Sequence, residues 1–431
     1  MNKTLKNVVG ALVLVLILIV FYLLTFQLSH KKLVVKETTS IISVGDLGSK
    51  KMKSYYELYE KATKIDSKEV KQYTKYIKGI DLIYYNDSLP ENRTEDKEVM
   101  VINVGWLYPV AKLKQGEYFD TLGKNYFQLK EKYQNELFEK YGVEKKIYMT
   151  NYKGYYFISD DVVKLSDYMR LLVKKEMNEN ITKVMKGDTL GEAVIDLEGI
   201  ADGLTALKIN LDYEKNELVL NGYTYGDIEF SKYFDGIDEK DRKISKYMGK
   251  NRIYLTSKNF KEMTIFLRGN LDPNINSMLS LTKMFTGKSV EDYAEEIDGE
   301  LVYDYVNDQL ILPLKETKNF DHLLSVFAEK NEGGERYILK NGKIVEIQDD
   351  IIYYNGKMSE GDITPKKDEF ISASLNLGFY NPILKDLYIN MGGKIDEKRV
   401  RISLSIKDEE LLEVYKRMEV LENDQNTQYT Y

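Results

Sequence analysis

Two carboxylates set two residues apart open the chemical possibilities of this chain. In the run 193–199 (AVIDLEG), strand alternation puts Asp196 and Glu198 on the same face. In a cleft, such a pair could provide the acid and the nucleophile of glycoside hydrolysis, or oxygen ligands for Ca²⁺. Asp202 follows closely in sequence. On an open sheet the same side chains would be an ordinary solvated face. Asp196 and Glu198 are the candidate catalytic residues, and no cofactor or metal site is expected.

The other reactive groups form no complete set. There are two histidines. His30 lies in His30-Lys31-Lys32, where a membrane interface would account for it, and His322 follows Asp321 in a helical stretch. A hydrolase triad would need a serine on a sharp strand-to-helix turn, and no G-x-S-x-G pentapeptide occurs. Gly287-Lys288-Ser289 resembles the end of a phosphate loop, but Thr282 stands where that loop needs its first glycine. Ser280-Leu281-Thr282-Lys283 fits S-x-x-K without the S-D-N and K-T-G that accompany it in penicillin-binding enzymes. Asp160-Asp161 reads as the start of a helix and Asp349-Asp350 as a turn. Asp235, Asp238, Glu239 and Asp241 lack the spacing and glycine of an EF-hand loop. With no cysteine in 431 residues, disulfides, thiolate nucleophiles, Fe–S clusters and Cys-type zinc sites are excluded.

The elements that must position these residues alternate between strand and helix periodicity. Helical spacing runs through 50–78, and strands are expected at 80–85 and 99–104. A first series then reads as strand 99–106, helical text through 126–141, hairpin 146–159, helix 162–177, strand 193–199 and hairpin 207–226. A second reads as strand 252–257, helices through 278–285 and 290–297, hairpin 300–314 and helix 319–329. It ends with strand 371–378 and hairpin 386–408, after an inserted hairpin over 336–355 whose Asn341-Gly342 suits a tight turn. The order of elements repeats, which predicts an internal duplication. The expected fold is α+β: two related units of antiparallel, hairpin-rich sheet with helices on one face, behind one N-terminal transmembrane helix.

That helix is expected from the run 8–26 (VVGALVLVLILIVFYLLTF), nineteen residues without a charge. As a helix it would span roughly 28 Å, close to the hydrocarbon core of a bilayer. The text after it offers no small-x-small cleavage site, so it reads as an uncleaved signal anchor. Lysines flank it on both sides, and the short N-terminal flank favours a cytoplasmic N-terminus with the rest extracytoplasmic. The expected organisation is a flank at 1–7, an anchor at 8–28, a linker at 29–49 and a helical neck at 50–78. A first unit at 79–229, a linker at 230–250, a second unit at 251–408 and a C-terminal helix with a disordered tail at 409–431 complete it.

The chain carries 69 Asp and Glu against 62 Lys and Arg, which argues against nucleic acid as a partner. Its 35 tyrosines, beside a single tryptophan, fit half-buried strands and could also line a carbohydrate-binding surface. One span followed by tandem strand–helix–hairpin units resembles bacterial cell-envelope proteins classed only as domains of unknown function. The resemblance covers 8–408 in layout and implies no activity. The expectation is therefore a membrane-anchored envelope binding or scaffold protein, with an envelope protein or glycan as its partner. A carboxylate-dependent glycan hydrolase using Asp196 or Glu198, and a ligand sensor acting through a partner, are the alternatives.

Overall fold

The computed structural model describes residues 28–417 apart from 46, 48, 64–67, 69–76, 87–95, 187–189, 201–202, 270–272, 331–335, 380, 397–398 and 415. The chain divides into two compact units, Met1–Tyr213 and Glu214–Tyr431. Each is α+β, an antiparallel sheet with its main helix layer on one face.

In the first unit the strands are β1 (Thr38–Val44), β2 (Gly79–Tyr85), β3 (Lys97–Asn103), β4 (Phe119–Gly123), β5 (Tyr126–Leu129), β6 (Tyr148–Tyr152), β7 (Tyr155–Ser159), β8 (Gly191–Asp196) and β9 (Leu204–Glu214). They lie in the order β9-β8-β1-β2-β3-β7-β6-β5-β4, each pair antiparallel. The helices are α1 (Lys50–Thr63), α2 (Tyr108–Tyr118), α3 (Glu131–Tyr141), α4 (Val162–Lys174) and α5 (Glu179–Val184).

Helix α4 shows why the main core sits where it does. Asp161 caps its first turn, accepting from the Val163 amide at 2.7 Å, which is the role read for the Asp160-Asp161 pair. Leu165, Tyr168, Leu171 and Leu172 form its buried stripe. Tyr168 meets Tyr85 and Phe157, with ring centroids 5.3 and 5.9 Å apart, over a face that also carries Ile41, Ile83, Val99 and Val194. Val163, although apolar, lies off this stripe and is 61% exposed.

Ahead of β1, residues 28–36 thread into the same core. Leu33, Val34 and Val35 are buried. The Tyr168 hydroxyl donates to the Leu33 carbonyl, Tyr155 to Leu28 at 3.1 Å, and the Lys31 ammonium to Thr182 at 2.6 Å. Helices α1 and α2 add cover at the margins of the opposite face. Met52 and Tyr56 of α1 pack on Leu47 and Leu190, while Tyr108 of α2 packs on Tyr156.

The second unit contains β10 (Glu217–Gly226), β11 (Arg252–Thr256), β12 (Glu300–Asp304), β13 (Gln309–Pro313), β14 (Ala328–Lys330), β15 (Arg336–Leu339), β16 (Ile344–Gln348), β17 (Ile351–Tyr354), β18 (Glu369–Asn376), β19 (Tyr388–Asp396) and β20 (Arg399–Lys407). Their order is β10-β20-β19-β18-β11-β12-β13-β17-β16-β15-β14, again antiparallel. Its helices are α6 (Phe260–Gly269), α7 (Pro273–Thr286), α8 (Val290–Glu295) and α9 (Lys318–Phe327). Asp349 and Asp350, read as a turn, join β16 to β17 with both residues left-handed, at φ of 52° and 59°.

The repeated element order does not produce the same sheet twice. In the second unit β11 and β18 are direct neighbours. The strands matched to them by sequence, β3 and β8, stand apart in the first unit with β2 and β1 between them. Similar periodicity has been built into two different strand orders.

The transmembrane anchor over 8–28 is corrected by the structure. Among the described residues no helix is long and apolar enough to cross a membrane. Helices α1 and α7 have 14 residues each, about 21 Å, where a span needs roughly 20 residues. Residues 8–27 lie outside the described residues, and Leu28 is bonded into the first unit. The single-pass location, the cytoplasmic N-terminus with its extracytoplasmic remainder, the membrane as partner and the anchored envelope role all rested on that span. They are set aside with it.

Candidate functional site

The predicted carboxylates come together, Asp196 half-buried and Glu198 exposed. Strand β8 ends at Asp196, and Glu198 lies in the turn beyond it. Two asparagines from the start of α5 hold them. Asn178 donates to Asp196 Oδ2 at 2.5 Å, and Asn180 donates to Asp196 Oδ1 at 3.2 Å and to Glu198 Oε2 at 2.7 Å. The Glu198 amide adds a bond to Asp196 Oδ1 at 3.1 Å. These bonds fix α5 to the end of β8. Asp196 thus serves as a bracket between elements, in a wide shallow bowl that also contains Lys36 and Glu176.

The remaining motifs resolve into local structure. His322 is exposed on α9, and the neighbouring Asp321 accepts from Tyr337 at 2.7 Å. Ser280 lies within α7, its hydroxyl turned back on the Asn276 carbonyl at 2.8 Å. Ser289, after Lys288, is the N-cap of α8 and forms a capping box with Asp292. Among the described residues no group of three or more His, Cys, Asp or Glu side chains could hold a metal ion.

A polar row that sequence reading missed crosses the core face of the first unit. Asp81 (β2), Ser43 (β1), Glu192 (β8) and Asn210 (β9) are successive register partners. Glu192 pairs with the buried Lys208 ammonium, which also donates to the Val184 carbonyl at 2.9 Å. His30 is corrected from an interfacial residue to a partner of Asp81, with Nε2 2.8 Å from Oδ1. The signal was faint, because one polar residue per strand looks unremarkable until register lines them up.

The hydrogen bond to Asp81 raises the His30 pKa above its usual 6.5, burial opposes the rise, and the charges of Asp81 and Glu192 add to it. A folded value above the unfolded one means stabilisation that is complete below about pH 6.5 and lost as pH rises through the folded value. Denaturation midpoints are therefore expected to fall with rising pH across that window, and His30→Gln to flatten the dependence. An NMR titration placing the His30 midpoint below 6.5 would refute this.

The opposite face of the same sheet offers a different environment. Strand β7 begins Tyr155-Tyr156-Phe157-Ile158, four successive aromatic or apolar residues before Ser159, so both of its faces need cover. Tyr155 and Phe157 go to the α4 side. Tyr156 and Ile158 go to the other, beside Ile102 of β3 and Met149 of β6, where α2 provides the roof. The roof is incomplete. Between α2 and the sheet lies an open, almost wholly apolar groove of about 340 Å³, within the ~300–1,000 Å³ typical of small-molecule sites.

Polar groups at this groove are few. Gln115 of α2 is buried; its Oε1 accepts from Asn151 at 3.0 Å, and Asn151 accepts in turn from Tyr108 at 2.8 Å. The Tyr156 hydroxyl is buried with no hydrogen-bond partner. Burial, then the neighbouring Tyr108, pushes its phenol far above the ordinary range, so it stays a neutral donor at any physiological pH. An unpaired buried hydroxyl costs roughly 1–3 kcal/mol. Tyr156→Phe is accordingly expected to stabilise the free protein by about 1 kcal/mol in urea denaturation, and a loss of that size would mean the hydroxyl is bonded.

Comparison with known proteins adds little to this geometry. No protein family and no curated protein matches the sequence. Among solved structures the chain is similar to crystal form IV of TP0453, with a TM-score of 0.27, 10% identity, and coverage of 46% of this chain and 81% of that one. Form I gives 0.28, 10%, 49% and 88%, and form III gives 0.27, 9%, 49% and 89%. Likeness at this level carries no argument about fold or function. The layout resemblance to single-span envelope proteins is corrected too, because no spanning helix lies among the described residues.

Proposed function

We propose that the chain is a binding protein whose first unit holds a small apolar ligand in the groove beneath α2. The observation that supports this is an open cleft of about 340 Å³ whose walls are almost entirely apolar. A well-formed apolar pocket with a few convergent polar groups is the usual form of a small-molecule site. Transfer of apolar matter into it is the driving force, about 0.8 kcal/mol per methylene, or roughly fourfold in affinity. Gln115 and Lys114 of α2 are the polar residues that border it.

The test is titration of the full chain with the neutral fluorophore N-phenyl-1-naphthylamine. Saturable, one-to-one enhancement is expected, and Ala111→Trp, which fills the groove from α2, should weaken it at least tenfold. Folding of the variant is checked by its circular dichroism and melting curve. No saturable binding to the wild-type chain, or equal binding by a folded Ala111→Trp, would overturn the reading.

A further inference from the structure

Helix α2 presents to the groove one stripe, Ala111, Lys114, Gln115 and Tyr118, at i, i+3, i+4 and i+7. Three of the four suit an apolar wall with a polar margin. Lys114 does not, since an ammonium has no favourable partner on such a wall. Its side chain is exposed, and no carboxylate pairs with it among the described contacts. The geometry of a lysine in that place is familiar: the aliphatic stem covers apolar surface while the charged end stays at the rim. The groove therefore combines an apolar floor with a cation at its mouth.

Resting on the groove as the binding site, we propose that its ligand is a single-chain amphiphile with an anionic head. The chain lies along Ile102, Met149 and Ile158, and the head is held at the rim by Lys114. Size supports one chain. A cavity of about 150 Å³ takes a benzene ring, so 340 Å³ corresponds to on the order of ten carbons. Charge complementarity supports the anionic head, because a charge-assisted hydrogen bond to an ammonium is stronger than a neutral one. A neutral or cationic head would leave Lys114 unanswered or opposed.

The experiment is displacement of N-phenyl-1-naphthylamine from the full chain by decanoate, 1-decanol and decylammonium, all below their aggregation limits. Decanoate is expected to displace the probe at one-tenth or less of the decanol concentration, and decylammonium to be weaker than decanol. The readout is the decanoate-to-decanol ratio. It should collapse to about one in Lys114→Glu and persist in Lys114→Arg, and it should shrink as salt is raised. If the fluorophore binds and the three compounds displace it equally, or if Lys114→Glu keeps the ratio, the anionic-head proposal is wrong while the groove stands. If the fluorophore does not bind the wild-type chain at all, the groove reading fails and takes this proposal with it.

Discussion

Replacing Lys208 by methionine is expected to destabilise the first unit by about 3–5 kcal/mol, the range for removing one partner of a buried ion pair. Lys208 is 1% exposed and Glu192 4%. The ammonium answers the Glu192 carboxylate and the Val184 carbonyl, and that carboxylate also accepts from the Lys186 amide at 3.1 Å. Without the lysine, the buried Glu192 carboxylate loses the ammonium that answers it directly. The double variant Lys208→Met, Glu192→Leu removes both charges and is expected to recover most of the loss, since a buried pair is often no better than a well-packed apolar replacement. Urea denaturation of the four proteins of the cycle measures this. A single-variant loss under about 1 kcal/mol would show the pair to be solvated.

In the second unit, Arg252→Met should cost a similar amount, about 3–5 kcal/mol. Arg252 spreads its donors over four acceptors: Asp304 Oδ2 at 3.2 Å, the Tyr247 and Ser359 carbonyls at 2.7 and 2.8 Å, and the Ser359 hydroxyl at 3.1 Å. It thus ties β11 to the segments around Tyr247 and Ser359, and a lysine cannot reproduce that planar fork. Arg252→Lys is therefore expected to rescue little. Burial acts to raise the Asp304 pKa, but the Asn307 amides, Arg252 and the Val306 amide outweigh it and hold the carboxyl below its usual 3.8. A folded value below the unfolded one gives stability that is present above pH 3.8 and lost as pH falls through the folded value. Arg252→Met should consequently move the acid-unfolding midpoint to higher pH, and an unchanged midpoint would contradict the assignment.

These two pairs show what hydrophobic patterning leaves unspecified. Each sits in a strand whose alternation is otherwise regular, so pattern alone would assign Lys208 and Arg252 to solvent. Register decides otherwise. Asn210, Glu192, Ser43 and Asp81 fall in one row only because four strands pair at particular offsets. His30 reaches that row because Tyr155, Tyr168 and Lys31 hold residues 28–35 in the core. Residues 33–35, which fall in the stretch expected as a linker after the apolar run 8–26, contribute buried core.

The groove was legible in part. Tyr155–Ile158 is aromatic or apolar at every position, and a strand of that kind must be covered on both faces. The residues that would provide the cover could not be told from spacing. Helix α2 is weakly patterned, with Leu113 86% exposed and Ala111 and Gln115 turned inward. Its facing stripe becomes visible only against Tyr156 and Met149. The Asp196–Glu198 pair shows the reverse. Sequence put the two carboxylates together, and the fold did so as well, with asparagines bonded to both Asp196 oxygens and to Glu198 Oε2.

By itself, the sequence determined the class of this protein: antiparallel hairpins with interspersed helices, turns at 349–350, and a cysteine-free chain. Those properties follow from local periodicity and turn chemistry, which act over a few residues. Tertiary structure decided the order of strands in each unit, the burial of Lys208 and Arg252, and the opening between α2 and the sheet. It also decided that Asp196 braces α5. All of these depend on which distant strands pair and at what register, and a one-residue shift in register would send each of these side chains to the opposite face.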